Sequence, residues 1–399
     1  MASRNRIIYQ SEALFVDVAN RTSDDGHTAT ANQLFRVQDI SHDMDVNRTD
    51  IFEFGKLAPL TRQVIEAPTV SLDFSYLLAD GANEKEIGLI TNGAQNAISG
   101  ILEDASKKEK NYYVTTVSEN KDVNVSGSSA AAPYNASRTT VVGFGNSAIT
   151  NYVVNVAVGD LPTASVTCEA YNLKFDRPAQ AAVDGAWLSG DAPTVNKETS
   201  QEIGDKYLIP TGSSGNLEVF SLRPGDVTMS FAAGDKGTAA NKLQVGGAVL
   251  PTGDPDSAST DDGETPIHIQ NFSIEVPLAR TPLNRIGSNF PYDRAIDFPL
   301  DMTLNVSALL ADMETGSLID LMCNDQDIRD VTINCSIPCA DNDDFDSRNL
   351  QFVVKNAYLQ SQNMAATIGD NKTVDLSFTS QFGSVEDTAN GLFISGFGE

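Results

Sequence analysis

The sequence predicts a mainly β protein with two tandem β-sandwich or small-barrel modules, each with one flanking α-helix. Two observations support this prediction: one stretch of the chain is duplicated, and that stretch alternates apolar and polar residues with the period of a β-strand. We place the first module at residues 1–177 and the second at residues 265–399. Residues 178–264 between them are rich in Gly, Pro, Ser and Asp, which is typical of an exposed acidic connector or a small insertion.

The duplication appears when the chain is shifted by 232 positions. Residues 37–80 then align with residues 269–312 without a gap, and 13 of the 44 positions are identical. Ordinary composition gives roughly 2 or 3 matches over this length by chance. Five identities form a spaced motif, namely Arg48/Arg280, Thr49/Thr281, Gly55/Gly287, Pro59/Pro291 and Arg62/Arg294. Because the motif shows neither strand nor helix periodicity, it predicts a long loop that joins the two strands of a hairpin in each copy.

The strands on either side of each loop have one apolar and one polar face. In the first copy Ile40, Met44 and Val46 share the apolar face, which we expect to point towards a core. The polar faces carry several acids, which are Asp39, Asp43, Asp45, Asp73, Glu275 and Asp301. An alternating strand with this pattern usually has one buried and one solvated face.

A helix is predicted after each hairpin. In the first copy Asn83 and Glu86 have the spacing of a capping box, and apolar residues follow at helical intervals from Ile87 to Ile101. In the second copy a shorter helix is predicted around residues 318–322. Each copy then returns to strands that end in a hairpin.

The charge and the cysteines limit the class of protein. The chain has 27 Lys and Arg against 54 Asp and Glu, and a formal net charge of −27 repels nucleic acid. No segment is long enough to span a membrane. The opening MASRNRIIYQSEALF lacks the apolar core of a signal peptide, so we expect a cytosolic product with reduced thiols. Those thiols are Cys168, Cys323, Cys335 and Cys339.

Catalytic and metal-binding motifs are not evident in the sequence. Cys323, Cys335 and Cys339 offer at most three thiols and lack a fourth ligand at zinc-like spacing. No nucleophile elbow, phosphate-binding loop or spaced carboxylate pair stands out. We therefore expect no enzymatic activity, no cofactor and no metal.

The run from LFRVQDIS to VNRTDIFEFGKLAPLTRQVIEAPTVSLDFSYLLADG resembles the major tail tube proteins of long-tailed double-stranded DNA bacteriophages, especially those with non-contractile tails. The resemblance covers the first copy well and the second more faintly, and residues 178–264 depart from it. In that family the module is a β-sandwich with one helix, and rings of six modules stack into a tube whose lumen conducts DNA. Some members fuse two modules, so the resemblance implies a ring of three chains with six-fold appearance.

The resemblance also implies roles for the repeated residues. The loops 48–62 and 280–294 would contact the neighbouring ring, with the repeated glycines allowing a bend and the repeated prolines stiffening the return. The alternative from the residues themselves is that the arginines brace each loop within its own module. The six acids of the polar faces would line the lumen, where DNA passes without specific binding, whereas alternation alone favours an ordinary solvated face.

The partners and location follow from the same resemblance. The protein would be assembled in the host cytoplasm and reside in the virion, in contact with copies of itself and with the terminator, tape measure and baseplate or tip proteins, and without a membrane. Two alternatives remain open. One is another ring of the tail, such as a terminator or baseplate hub ring, and the other is a tandem β-sandwich that binds carbohydrate or protein at a cell surface.

Overall fold

The computed structural model describes most of the chain, and this part is mainly β, as predicted. The described residues are 12–19, 29–117, 139–182, 185–188, 192–202, 207–210, 221–233, 242–245, 248–251, 268–309, 328–336, 349–366 and 371–396. The first strands are β1 (Glu12–Val18), β2 (Ala29–Thr30), β3 (Asn32–Gln33), β4 (Val37–Asp45), β5 (Arg48–Ile51), β6 (Thr61–Val64), β7 (Thr69–Leu77), β8 (Lys110–Thr116), β9 (Thr140–Ala157), β10 (Thr163–Ala170) and β11 (Asn172–Asp176).

The remaining strands belong to the predicted connector and to the second copy. In the connector region they are β12 (Pro178–Ala182), β13 (Gly185–Leu188), β14 (Val195–Asn196), β15 (Gln201–Glu202), β16 (Tyr207–Pro210), β17 (Val227–Ala233), β18 (Lys242–Val245) and β19 (Ala248–Pro251). The last strands are β20 (His268–Pro277), β21 (Arg280–Leu283), β22 (Asp293–Ile296), β23 (Asp301–Leu309), β24 (Ile328–Ser336), β25 (Asn349–Ala365), β26 (Thr373–Gln381) and β27 (Gly391–Ser395).

Eight strands form one continuous antiparallel run in the order β4-β7-β10-β9-β20-β23-β26-β25. A second layer packs against each half of this run. It consists of β1, β8, β11 and the first part of β9 in one half, and of β17, β24, β27 and the first part of β25 in the other. Because β9 and β25 take part in both layers, each half has a sandwich-like arrangement.

The two long strands change layer at an asparagine in left-handed conformation. Asn146 has φ 52° and Asn356 has φ 50°, a region that asparagine tolerates better than most residues. The backbone N–H of Asn146 donates to Asn111 Oδ1 at 3.1 Å, and that of Asn356 donates to Asp330 Oδ1 at 3.0 Å. The same device therefore redirects both strands.

A single buried apolar cluster extends through both halves. Rings from the two layers meet in it, with Phe74 against Tyr112 at 5.6 Å and Phe231 against Phe378 at 5.9 Å between centroids. The apolar residues that alternate along β7, β20 and β23 are buried. The polar residues between them therefore lie on the opposite face of the sheet, towards solvent.

The strand pairings of the two halves correspond residue by residue. Thr163 pairs with Leu77 and Asn155, and Thr373 pairs with Leu309 and Ala365. Residues of β4 and β7 thus match those of β20 and β23 at the offset of 232 found in the sequence, whereas β9 and β10 match β25 and β26 at an offset of 210. A register shift after Thr167 recurs at the corresponding place in the second half.

The flanking helices differ from the prediction. The first copy has three short helices, α1 (Ala82–Ile87), α2 (Ser99–Glu103) and α3 (Ala105–Lys108), instead of one from residue 83 to 101. Gly88, with φ 108°, ends α1, and Gly93 takes φ 66° in the segment that follows. Asn83 does not cap a helix; it lies within α1 and its side chain bonds the backbone of Phe35. The helix predicted in the second copy falls outside the described residues.

The predicted connector contains structure of its own. β12, β13 and β16 form a four-stranded sheet with β2, and β14 pairs with β15 and β18 with β19 as short hairpins. β17, which also lies between residues 178 and 264, pairs with β24 along its whole length and so belongs to the second half. The composition of residues 178–264 predicted an exposed stretch, but composition cannot predict the pairing of β17 with a strand far away in the sequence.

Candidate assembly surfaces

The outward face of the eight-stranded run is polar and acidic. All six acids expected on polar faces lie on it, and five are exposed while Asp73 is half-buried. Two more acids, Glu169 and Asp375, share this face through their pairing with Ser71 and Ser307. The sequence reasoning missed these two, although both lie at polar positions of the alternating strands β10 and β26.

The same face carries no positive charge. Across the eight strands only one Lys or Arg occurs, and this residue, Lys355, lies in the first part of β25 in the other layer. The remaining outward positions are mostly Ser, Thr and Asn. Each chain therefore presents eight carboxylates on one side of a broad sheet, with no cation among them.

The run has an open edge at β4. One side of this strand pairs with β7, and no strand in the described part of the chain pairs with the other side. Ile40, His42 and Met44 point towards the core face, opposite the buried side chains of β7, yet His42 is exposed and Met44 is 51% exposed. The prediction that this face is covered is therefore met only in part, because no strand among the described residues covers its outer side.

The other end of the run is also open. The second part of β25, from Leu359 to Ala365, pairs with β26 on one side and, among the described residues, with no strand on the other. Gln362 is exposed and Met364 is half-buried, although both are opposite buried residues of β26. Exposed edges of this length are normally covered or paired in proteins.

Each predicted loop is a two-stranded arm that projects from the run. The first arm is residues 48–64, in which β5 pairs with β6, and the second arm is residues 280–296, in which β21 pairs with β22. Gly55 and Gly287 have φ of 90° and 96°, and open space surrounds both positions, so backbone conformation rather than crowding explains the repeated glycine.

The second arm lies against the first half of the same chain. Arg294 is 2% exposed and donates to the backbone carbonyl of Glu169 at 2.7 Å and to that of Asn146. Its guanidinium lies 3.9 Å from the Tyr171 ring centroid and 3.7 Å from the Glu109 carboxylate. These contacts fasten the base of the arm.

Other residues extend this contact along the second arm. Arg280 Nε donates to the carbonyl of Ile149 at 3.3 Å, and burial lowers the pKa of Arg280 to about 10. Thr281 donates to Asp297 at 2.9 Å, and Pro291 is buried. Near the tip, Ser288 donates to the carbonyl of Lys197 at 2.6 Å. The arginines of the second arm thus brace it within the chain, but against the first module, whereas the alternative from the sequence had each loop braced within its own module.

The first arm is exposed along its length. Arg48 and Thr49 are exposed, and Pro59 is half-buried. Arg62 pairs with Asp50 of the same arm at 2.7 Å, and 63% of its side chain is exposed. Large apolar side chains are exposed on or beside the arm, namely Ile51, Phe52, Phe54, Leu57, Leu60, Val64 and Ile65. An apolar surface of this kind usually marks an interaction site.

The two arms share an exposed apolar tip. Phe54 and Ile286 occupy corresponding positions, each directly before the repeated glycine, and both are fully exposed at 107% and 106%. The motif comparison singled out the identical residues and missed this pair, because the two side chains differ in identity and share only their apolar character.

The described residues bear on three features of other functions, namely a metal site, a reactive thiol and a membrane-spanning helix. No group of three or more His, Cys, Asp or Glu in this part of the chain could hold a metal ion. Cys168 and Cys335 are free and buried, and burial raises the pKa of each thiol to about 12; Cys323 and Cys339 fall outside the described residues. No helix among the described residues has the length and apolar character needed to cross a membrane.

No protein-family model matches this chain, and neither does any curated protein, so its function has to be inferred from these surfaces.

Proposed function

We propose that the chain is a structural protein of two duplicated modules, and that three copies close into a ring that stacks into the tail tube of a double-stranded DNA bacteriophage. The observation that carries this proposal is the pair of open strand edges at the two ends of the eight-stranded run. Inside the chain, β20 and β9, the counterparts of the edge strand β4 and of the open part of β25, already pair with each other. The internal junction is therefore a template for the contact between chains.

The template specifies the register of that contact. In the junction, Leu278 N–H donates to Thr150 at 2.8 Å and Val158 N–H to Gln270 at 2.9 Å. This pattern makes Phe272, Ile274 and Val276 the residues of β20 that exchange hydrogen bonds with β9. Shifted by 232 and 210 positions, it pairs Ile40, His42 and Met44 of one chain with Ala366, Met364 and Gln362 of the next. The pairing covers the exposed inward side chains of both edges.

The ring has a wide lumen lined by the acidic face. Three chains contribute 24 strands, and with strands about 4.8 Å apart at a tilt of about 40° the backbone cylinder is about 48 Å across. Barrels of about 16–18 strands already enclose an aqueous channel. The number of chains rests on the resemblance to tail tube proteins, in which six modules form a ring.

The charge of the lumen suits transport without binding. DNA carries one negative charge per about 1.7 Å of axis, and physiological salt screens charges beyond about 8 Å. An acidic wall therefore acts on DNA only at close approach and prevents adhesion. Terminator, tape measure and tip proteins are the other partners that this role entails.

A disulfide across the open edges tests ring closure. Ser41 and Ala365 correspond to Ser273 and Asn155 of the internal junction, a pair that exchanges no hydrogen bonds. Such pairs have Cα atoms about 4.5 Å apart, within the range of a disulfide. We expect the double variant Ser41→Cys, Ala365→Cys to form covalent trimers under mild oxidation, seen on non-reducing gels.

Three controls make this crosslink specific. The wild-type chain under the same oxidant reports on the native cysteines, and each single variant should stay uncrosslinked. The variant Ser41→Cys, Asn363→Cys shifts the pair by two residues, to a diagonal distance of about 7–8 Å, and should crosslink poorly. Absence of crosslinks in the in-register variant, or equal crosslinking in both double variants, would contradict the proposed ring.

Stacking depends on the apolar tips of the arms. We expect the double substitution Phe54→Ser, Ile286→Ser to leave rings intact and abolish tubes, because both side chains are exposed on a single ring. Negative-stain electron microscopy at rising protein concentration, with mass photometry alongside, distinguishes rings from tubes. Phe175→Ser is a matched control, since Phe175 is 65% exposed and belongs to β11 rather than to either arm.

The wild-type protein separates the alternatives in the same experiment. Wild-type rings that never stack would favour a terminator or hub ring over a tube. A monomer at every concentration would favour the tandem binding module.

A further inference from the structure

The contact made by the second arm within the chain predicts a contact that the first arm makes between chains. The second arm fastens to the first half through Arg294 on the carbonyls of Glu169 and Asn146, and through Arg280 on the carbonyl of Ile149. It reaches that surface because β20, from which it emerges, pairs with β9. In the proposed ring, β4 pairs in the same register with β25 of the next chain, so the first arm emerges at the corresponding surface of that chain.

We propose that the first arm docks on the second half of the neighbouring chain in the same ring. The Arg62 guanidinium then binds the backbone carbonyls of that chain's Thr379 and Asn356, and the Arg48 side chain binds the carbonyl of its Leu359. These positions follow from the offsets of 232 and 210 that relate the two halves. The inference rests on the proposed ring. The base of the first arm contacts a neighbouring chain in the same ring, whereas the tip faces the next ring.

The surface on which the second arm lies is buried in the first half, and the corresponding surface of the second half is exposed. Ala148 and Ile149, which lie where the second arm docks, are 1% and 4% exposed. The corresponding residues of the second half are Tyr358, which is 48% exposed, and Leu359, which is half-buried. A large aromatic ring therefore stands in solvent where the other half is covered. The neighbouring chain's arm would cover it.

The arginine of the first arm is exposed enough to form the proposed contact. Arg62 is 63% exposed in the single chain, whereas Arg294 at the equivalent place is 2% exposed. The bridge from Arg62 to Asp50 is between exposed side chains, and such bridges contribute at most about 1 kcal/mol. Giving up that bridge therefore costs little, and the carbonyl acceptors of the proposed site would offset the desolvation of the guanidinium.

The charge of the second half suits an incoming arginine. In the first half, the Glu109 carboxylate lies 3.7 Å from the Arg294 guanidinium. The corresponding position of the second half is Ile328, but an acid appears nearby, because Asp330 stands where the first half has Asn111. Asp330 accepts the N–H of Asn356 at 3.0 Å, the same bond that Asn111 makes with Asn146. Its carboxylate thus binds the backbone of the residue whose carbonyl would receive Arg62.

A double-mutant cycle between Arg62 and Asp330 tests the contact. Asp330→Asn preserves the fold, since Asn111 makes the equivalent bond in the first half. We expect Arg62→Met and Asp330→Asn each to weaken ring formation about tenfold in a mass-photometry dilution series. The double variant should form rings about as well as the more impaired of the two single variants. Both groups act on one contact, so removing the second group should cause no further loss. Losses that simply multiply, or no loss in the single variants, would overturn the proposal.

Two further measurements separate this inference from the ring itself. Arg62→Met should leave the urea-unfolding curve of the monomer unchanged, whereas Arg294→Met, the same substitution at the buried position, should shift it to lower urea. The Ser41–Ala365 crosslink provides the second. If that crosslink forms while Arg62→Met assembles like the wild type, the proposed arm contact is contradicted and the proposed ring is not. If the crosslink fails, both are wrong.

Discussion

We expect the substitution His42→Pro to yield a folded protein that does not form the proposed rings. The backbone N–H of His42 points away from β7, because Leu77 donates to Arg36 and the pairing that follows leaves Ile40, His42 and Met44 unbonded on the β7 side. Proline removes this N–H and places a ring at the open edge, without removing a bond inside the chain. The residue before it, Ser41, is already extended, as a proline requires.

The control for this experiment is His42→Val. Valine keeps the N–H and favours a strand, so rings should form as in the wild type. Mass photometry gives the mass of the assembly, and circular dichroism with thermal melting shows that both variants are folded. Wild-type rings from His42→Pro would contradict edge pairing, and failure of His42→Val would mean that the imidazole itself is required.

We expect the substitutions Glu275→Lys, Asp301→Lys and Asp375→Lys together to make the proposed lumen retain DNA instead of repelling it. They change the outward face of each chain from eight negative charges to five negative and three positive. All three side chains are exposed and none lies on an open edge strand, so rings and tubes should still form. Passage of DNA should slow, because cations within a few ångströms of phosphates bind them by releasing counterions.

Purified tubes allow a direct measurement of this effect. We expect the triple variant to retain short duplex DNA in filter binding, with retention that falls steeply as salt rises. The variant Glu103→Lys, Glu198→Lys, Glu386→Lys has the same net charge, but its changes lie outside the eight strands, and it should retain much less DNA. Equal retention by the two variants would mean that the acidic face does not line the channel.

The sequence allowed the hairpins and their faces to be predicted because alternation reports directly which side of a strand meets a core. β4, β7, β20 and β23 lie where the alternation indicated, and the acids lie on the outward face. The helix was less predictable. Apolar residues from Ile87 to Ile101 have nearly helical spacing, but the left-handed backbone at Gly88 and Gly93 interrupts it.

Long-range contacts could not be predicted, because no local pattern encodes them. The pairing of Val153 with Glu275 joins strands from different repeats, and neither neighbourhood signals the other. The arginines illustrate the same limit. Arg62 and Arg294 occupy identical places in the repeated motif, yet one is exposed and the other is buried. What differs is the surface opposite each arm, and that surface depends on the order of strands in the whole sheet.

The junction between β9 and β20 has a consequence for the thermodynamics of assembly. A ring of six separate modules requires every module to give up its translational and rotational freedom, at an estimated cost of about 4–15 kcal/mol for each association. In the proposed ring, half of the junctions would form during folding of a single chain, at the high effective concentration that covalent linkage provides. Two associations would then join the three chains, where six separate modules need five. Rings should therefore appear at lower concentrations than for an unlinked module with the same edges, and their outer surface should repeat with three-fold order around a nearly six-fold channel.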